Sequence, residues 1–119
     1  MVSIHDSRFT IHEIMETPKD TLKRMAAWDV EPTLSDDDLD SMLAGAAMQD
    51  DEGRGPSDGG WTPTYDLNFA ASRSWLVKAA RASILIEGEP PGVVTSKVFD
   101  NCRAMARIYA VKRNISVMI

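Results

Sequence analysis

Tyr65-Asp66-Leu67-Asn68-Phe69-Ala70-Ala71-Ser72-Arg73-Ser74-Trp75-Leu76-Val77-Lys78-Ala79-Ala80-Arg81-Ala82-Ser83-Ile84-Leu85-Ile86-Glu87-Gly88 is the stretch on which the fold turns. Leu67, Ala70, Ala71, Ser74, Trp75, Lys78, Ala79, Ala82, Leu85 and Ile86 recur at helical spacing and mark a buried side. The small residues among them let a second helix approach closely. Asp66 or Thr64 supplies the N-cap, and Gly88-Glu89-Pro90-Pro91-Gly92 ends the helix. The pattern predicts about 20 helical residues, or roughly 30 Å. Arg73, Lys78 and Arg81 are expected to look towards solvent or a neighbour.

Upstream, two shorter helices are expected. Thr17-Pro18-Lys19-Asp20 has the signs of a helix start: a threonine N-cap, a proline at the first helical position and an acid where a capping box places it. Leu22, Met25 and Ala26 give its apolar face, and the helix is expected to end near Trp28, before Asp29-Val30-Glu31-Pro32. The second starts at Ser35, with Asp36, Asp37 and Asp38 in its first turn and Leu39, Met42, Leu43, Ala46 and Ala47 as its stripe. Asp36, Asp37, Asp38 and Asp40 lack the glycine and terminal glutamate of a calcium loop, so capping explains them better.

Between the second helix and the long one, Gln49 to Pro63 supports neither helix nor strand. Connections of this length in compact domains are usually functional or disordered. Gly53-x-Gly55 is a poor phosphate loop, since no Lys-Ser/Thr pair follows and no strand precedes it. Trp61 either pins the loop to the body or anchors an interface, with packing the default.

Downstream, Thr95 or Ser96 is expected to cap a last helix on which Val98, Cys102, Met105, Ala106 and Tyr109 share one stripe. Arg103, Arg107 and Lys112 lie off it. The helix stops at Lys112-Arg113-Asn114 and leaves Ile115-Ser116-Val117-Met118-Ile119, an apolar β-prone tail that calls for a partner. The expectation is therefore an all-α fold, a bundle of about four helices over residues 17–114, with an arm at 1–16, a projecting loop at 49–63 and a docking tail at 115–119.

The chain has 119 residues and a net charge of −5. A domain of this size buries roughly 65% of its unfolded surface, enough for one modest core. No apolar run is long enough for a membrane span, and Met1 to Glu16 lacks the basic start and apolar stretch of a secretory signal. One cysteine, Cys102, fits a reducing compartment and is most simply a core residue. Both histidines, His5 and His12, fall in the arm, and no motif places a pair of carboxylates, so no enzyme, metal or cofactor is expected.

Charge is segregated. Glu31, Asp36, Asp37, Asp38, Asp40, Asp50, Asp51, Glu52 and Asp58 face only Arg54 in the middle third. From Arg73 onward the bases Arg73, Lys78, Arg81, Lys97, Arg103, Arg107, Lys112 and Arg113 outnumber Glu87, Glu89 and Asp100. Helix capping accounts for many of these singly. The sharper expectation is that Asp36, Asp37 and Asp40 of one copy meet Arg73, Arg81, Arg103 and Arg107 of the next. A DNA-binding regulator using the basic last helix is the alternative, although the Gly/Pro link before Thr95 is too long for a helix-turn-helix.

The order of these pieces resembles the head–tail connector (adaptor, or head-completion) proteins of long-tailed bacteriophages, over about Asp20 to Ile119. The resemblance rests on Tyr65-Asp66-Leu67-Asn68-x-Ala70-Ala71 with Trp75, on Phe99-x-x-Cys102-x-x-Met105-Ala106, and on the terminal Ser116-Val117. It implies a helical subunit in a ring of twelve beneath the portal, in the neck of a virion assembled in the host cytoplasm. DNA would pass through the ring without sequence-specific binding. It also implies that Ile115 to Ile119 dock on the portal protein, with Arg113 and Asn114 as hinge, while the other side of the ring receives the next neck or tail-completion protein. The loop bearing Asp50, Asp51, Glu52, Arg54 and Trp61 would then reach a neighbouring subunit, the channel or the next ring. Two features depart from the pattern: the arm before Thr17, and the double proline in the Gly88–Val94 link.

Overall fold

Four helices are laid down in a computed structural model that describes residues 16–88 and 93–113. They are α1 (Pro18–Met25), α2 (Asp36–Gly45), α3 (Leu67–Gly88) and α4 (Val93–Lys112). The described residues contain no strand, only an isolated antiparallel bridge between Ala47 and Tyr65. The all-α expectation holds. Among the described residues no helix is long and apolar enough to cross a membrane. The arm up to Met15, the tail from Asn114 and the link 89–92 lie outside the described residues.

Local chemistry sets the helix starts. Thr17 Oγ1 accepts from the Asp20 amide at 3.1 Å while the Asp20 carboxylate accepts from the Thr17 amide at 3.4 Å. Ser35 and Asp38 repeat this reciprocal box at 3.1 and 2.8 Å. Each box satisfies two of the amides that a helix N-terminus leaves unpaired. Asp66 caps α3, taking the Phe69 amide on Oδ1 at 3.1 Å.

Helix ends follow tertiary demands instead. α1 stops at Met25, one turn before the expected end near Trp28. Ala27 turns to a φ of 46°, and the carbonyls of Met25, Ala26 and Ala27 accept from α3 side chains. At the other end of the chain α4 begins at Val93, so Thr95 and Ser96 lie inside its first turn rather than ahead of it. Helix propensities of Val, Thr and Ser differ by only tenths of a kcal/mol, too little to fix the boundary.

The largest helix interface joins α3 and α4, which run antiparallel. Ser72 Oγ donates to the Ala106 carbonyl at 2.9 Å, and Asn68 Nδ2 donates to that of Lys112 at 3.2 Å. α1 and α2 pack on another side of α3. Their cluster comprises Leu22, Ala26, Leu34, Leu39, Leu43 and Ala46 with Ala70 and Ala71 of α3. A second cluster fills the α3–α4 seam with Trp75, Ala79, Cys102 and Ala106, and Tyr109 touches both. The stripe foreseen for α4 is thus the core-facing one, and Cys102 is a core residue at 2% exposure.

Candidate functional site

The loop 49–63 is tied together by one carboxylate. Asp50 Oδ1 accepts from the amides of Glu52 and Arg54, and Oδ2 from that of Thr62, all at 2.9 Å. Those three bonds favour the anion and hold the Asp50 carboxyl below its ordinary range. Asp58 does the same on a smaller scale for the Gly55 amide, at 2.7 Å. Gly60, at a φ of 82°, lets Arg54 lie across it, where an added Cβ would come within 3.1 Å of Nη1. Asp50 engages the Arg54 amide inside Gly53-x-Gly55, leaving that amide unavailable to a phosphate.

Trp61 is pinned to the body. Its Nε1 donates to the Met48 carbonyl at 3.0 Å, and its ring meets Tyr65 edge-on, 5.9 Å between centroids. The loop base is closed by the Met48 amide on the Thr64 carbonyl and the Asp66 amide on the Ala46 carbonyl, both 2.9 Å. What remains outward is Asp51, Glu52 and Asp58, with Arg54 paired to Glu52 at 3.2 Å. The result is a closed, acidic Ω-type loop.

The acidic first turn of α2 is largely engaged within its own chain. Lys19 reaches Asp36 at 3.4 Å and Asp40 at 3.0 Å, and Lys23 lies 3.9 Å from Asp36. Arg81, expected to look towards solvent or a neighbour, is partly exposed but spends its guanidinium within its own chain. It grips Asp38 with both terminal nitrogens, at 2.8 and 3.0 Å, and donates to the Thr33 carbonyl at 2.9 Å. This bidentate pair, added to the Ser35 bonds, drives the Asp38 carboxyl far below its ordinary range. Asp37 is exposed and has no ion pair among the described residues.

The basic side differs. Arg73, Arg103 and Arg107 are exposed and have no carboxylate partner among the described residues. Arg73 lies over the Phe69 ring and Arg103 over the Phe99 ring, each at 5.7 Å. Arg103 and Arg107 border a depression of about 230 Å³ with Ser72, Leu76, Ala106 and Ala110. Arg73 borders its neighbour, which shares Leu76. Of the charges expected to meet between copies, these three arginines and Asp37 have no ion-pair partner among the described residues.

Sequence reasoning did not see the role of Lys78. It is 1% exposed and forms no ion pair among the described residues, with Asp29 and Glu31 near enough to favour its charge. Its Nζ donates to the Ala26 and Ala27 carbonyls at 3.0 and 2.6 Å and sits 4.4 Å from the centre of the Trp75 ring. Trp75 Nε1 donates to the Met25 carbonyl at 3.0 Å. Two side chains of α3 therefore cap the C-terminus of α1, where a cation is favoured. Burial pushes the Lys78 pKa down and that of Cys102 up, which keeps the thiol protonated and inert. The available signal was a single lysine on the apolar stripe of the long helix.

Of the expected docking tail, only Arg113 is described; its amide donates to the Ala110 carbonyl at 3.4 Å. Asn114, Ile115, Ser116, Val117, Met118 and Ile119 lie outside the described residues. Compared with models of protein families, with curated proteins and with solved structures, the chain finds no match in any of the three.

Proposed function

We propose that this chain is a structural subunit of the neck of a long-tailed bacteriophage, one of a ring of copies that joins the portal to the tail and continues the DNA channel. The observation that carries the proposal is the ordered set of motifs resembling the connector proteins. In this fold those motifs have defined physical tasks. Asp66 caps α3, Ala70 and Ala71 sit in the core, Trp75 binds the end of α1, and Cys102 and Ala106 fill the α3–α4 seam. The chemistry of the rest agrees with a scaffold. Its buried thiol is inert, and its acidic loop spends Asp50 on its own backbone. An acidic conduit also suits passing DNA, because a ring of phosphate contacts would grip it in a salt-dependent way.

The apolar Ile115–Ile119 segment fits the portal as partner, by adding a strand to a sheet edge or lying in a groove. The other side of the ring would hold the next neck or tail-completion protein. Electron microscopy of virion necks tests this directly. A ring of this chain between portal and tail is the expected density, and a neck built without it ends the proposal.

A further inference from the structure

We propose that two copies of this chain meet head to tail, the acid-flanked Val30 of one copy seated in the arginine-rimmed groove between α3 and α4 of the next. Closure of such contacts into a ring rests on the function proposed above; the pairing of the two surfaces does not.

The groove asks for a particular occupant. Leu76 is 53% exposed on its floor, beside Ala106 and Ala110, and Ile84, 67% exposed, continues the apolar stripe along α3. α3 is thus apolar on its core side and again on its outer side, the pattern of a helix covered on both. Arg103 and Arg107 stand along the rim, and Arg73 borders the adjoining depression that shares Leu76, all three with no carboxylate partner among the described residues. A phosphate backbone would satisfy the arginines and leave Leu76 in water. The fitting partner has an apolar tip with acids around it.

The chain itself carries that partner. Asp29, Val30 and Glu31 are all exposed, and Val30, at 58%, is the large exposed hydrophobic residue that the described part of the chain offers outside α3 and α4. The knob is held in shape before any contact forms. The Val30 amide donates to the Ala27 carbonyl at 3.1 Å and that of Leu34 to the Trp28 carbonyl at 2.9 Å. Lys78 grips the knob's N-terminal side at Ala26 and Ala27, and Arg81 its C-terminal side at Thr33. Little ordering entropy is then lost on association. Of the other acids, Asp36 and Asp40 are committed to Lys19, Asp38 to Arg81 and Asp50 to the loop backbone, while Asp37, Asp51 and Asp58 are exposed but flank no exposed large hydrophobic residue in the described chain.

The two surfaces cannot meet within one chain. The knob is anchored through positions 75, 78 and 81 of α3, whereas the groove uses 72 and 76. At about 3.6 residues per turn these sets centre roughly 140° apart around the helix. Each copy therefore offers one knob and one groove, the requirement for a heterologous contact.

The test uses the full chain with charge reversals at exposed positions, Arg103→Glu with Arg107→Glu in one variant and Asp29→Arg with Glu31→Arg in the other. At high concentration and low salt, wild type is expected to self-associate in sedimentation velocity, and each variant alone to sediment as a monomer with unchanged helicity. An equimolar mixture should regain association, since each reversed surface finds its complement. A further variant with Val30→Cys and Leu76→Cys should give a ladder of disulfide-linked copies under mild oxidation, where each single change gives dimers at most. Variants that associate like wild type, a mixture that stays monomeric, or a missing ladder overturns the contact. So does an arginine reversal that abolishes retention of duplex DNA while leaving self-association intact, because the groove is then a phosphate surface. A neck ring seen by microscopy alongside any of those results would keep the ring and discard these two surfaces.

Discussion

Lys78 concentrates the residue-scale physics of this protein. An ammonium group is rarely buried without a carboxylate in contact, and here two main-chain carbonyls and the face of Trp75 hold it, with Asp29 and Glu31 favouring its charge from further off. The same atoms close α1, fix the turn at Ala27 and begin the knob at Asp29. Lys78→Met keeps the aliphatic stem and removes the donors. It is expected to cost about 1–3 kcal/mol, the range for stranding buried acceptors, partly offset by relief of the buried charge. Urea unfolding followed by tryptophan fluorescence measures it, and an unshifted midpoint would mean that other donors reach those carbonyls.

At the scale of elements, caps and the closed loop decide where segments start and what shape the connections hold. Ser35→Ala removes the acceptor for the Asp38 amide and loosens the carboxylate that Arg81 binds. A loss of about 1 kcal/mol in thermal or chemical unfolding is expected, as for other N-caps. Asp50 governs the loop in a pH-dependent way. Its carboxyl titrates below the ordinary 3.8 when folded, so its contribution is present above that value and disappears as pH falls through the folded pKa. Trp61 reports on this, because its indole is bonded to Met48 at the loop base. A fluorescence change on acidification is expected in wild type, and Asp50→Asn should already show the acid-form signal at neutral pH. A wild-type acid titration unchanged by that substitution would remove Asp50 from the role of hub.

For the whole molecule, the α3–α4 hairpin is the frame to which everything else is attached. α4 contributes Cys102 and Ala106 to the core and ends at Lys112, and both clusters are drawn from described residues as far as Tyr109. Deleting Ile115 to Ile119 is therefore expected to leave helicity by circular dichroism unchanged and to abolish attachment to portal-containing heads. Normal attachment of the truncated chain would refute docking through the tail. Self-association through Val30 and the groove should survive the same deletion, which separates the two interfaces in one protein.

The helices themselves were legible in the sequence because their determinants are local. Thr17 with Asp20, Ser35 with Asp38, the Asp66 cap and the stripes of α3 and α4 are short-range patterns, and each produced the element it encodes. What tertiary structure alone decided depends on residues far apart in the chain. Arg81 finds Asp38, Lys19 finds Asp36 and Asp40, Lys78 finds the end of α1, and Trp61 finds Met48. These meetings moved Asp36, Asp40 and Arg81 out of the set of free charges and left Arg73, Arg103 and Arg107 unpaired among the described residues. No periodicity can report this, because the free energy that spends or spares a charge belongs to the partner it meets when the chain has folded.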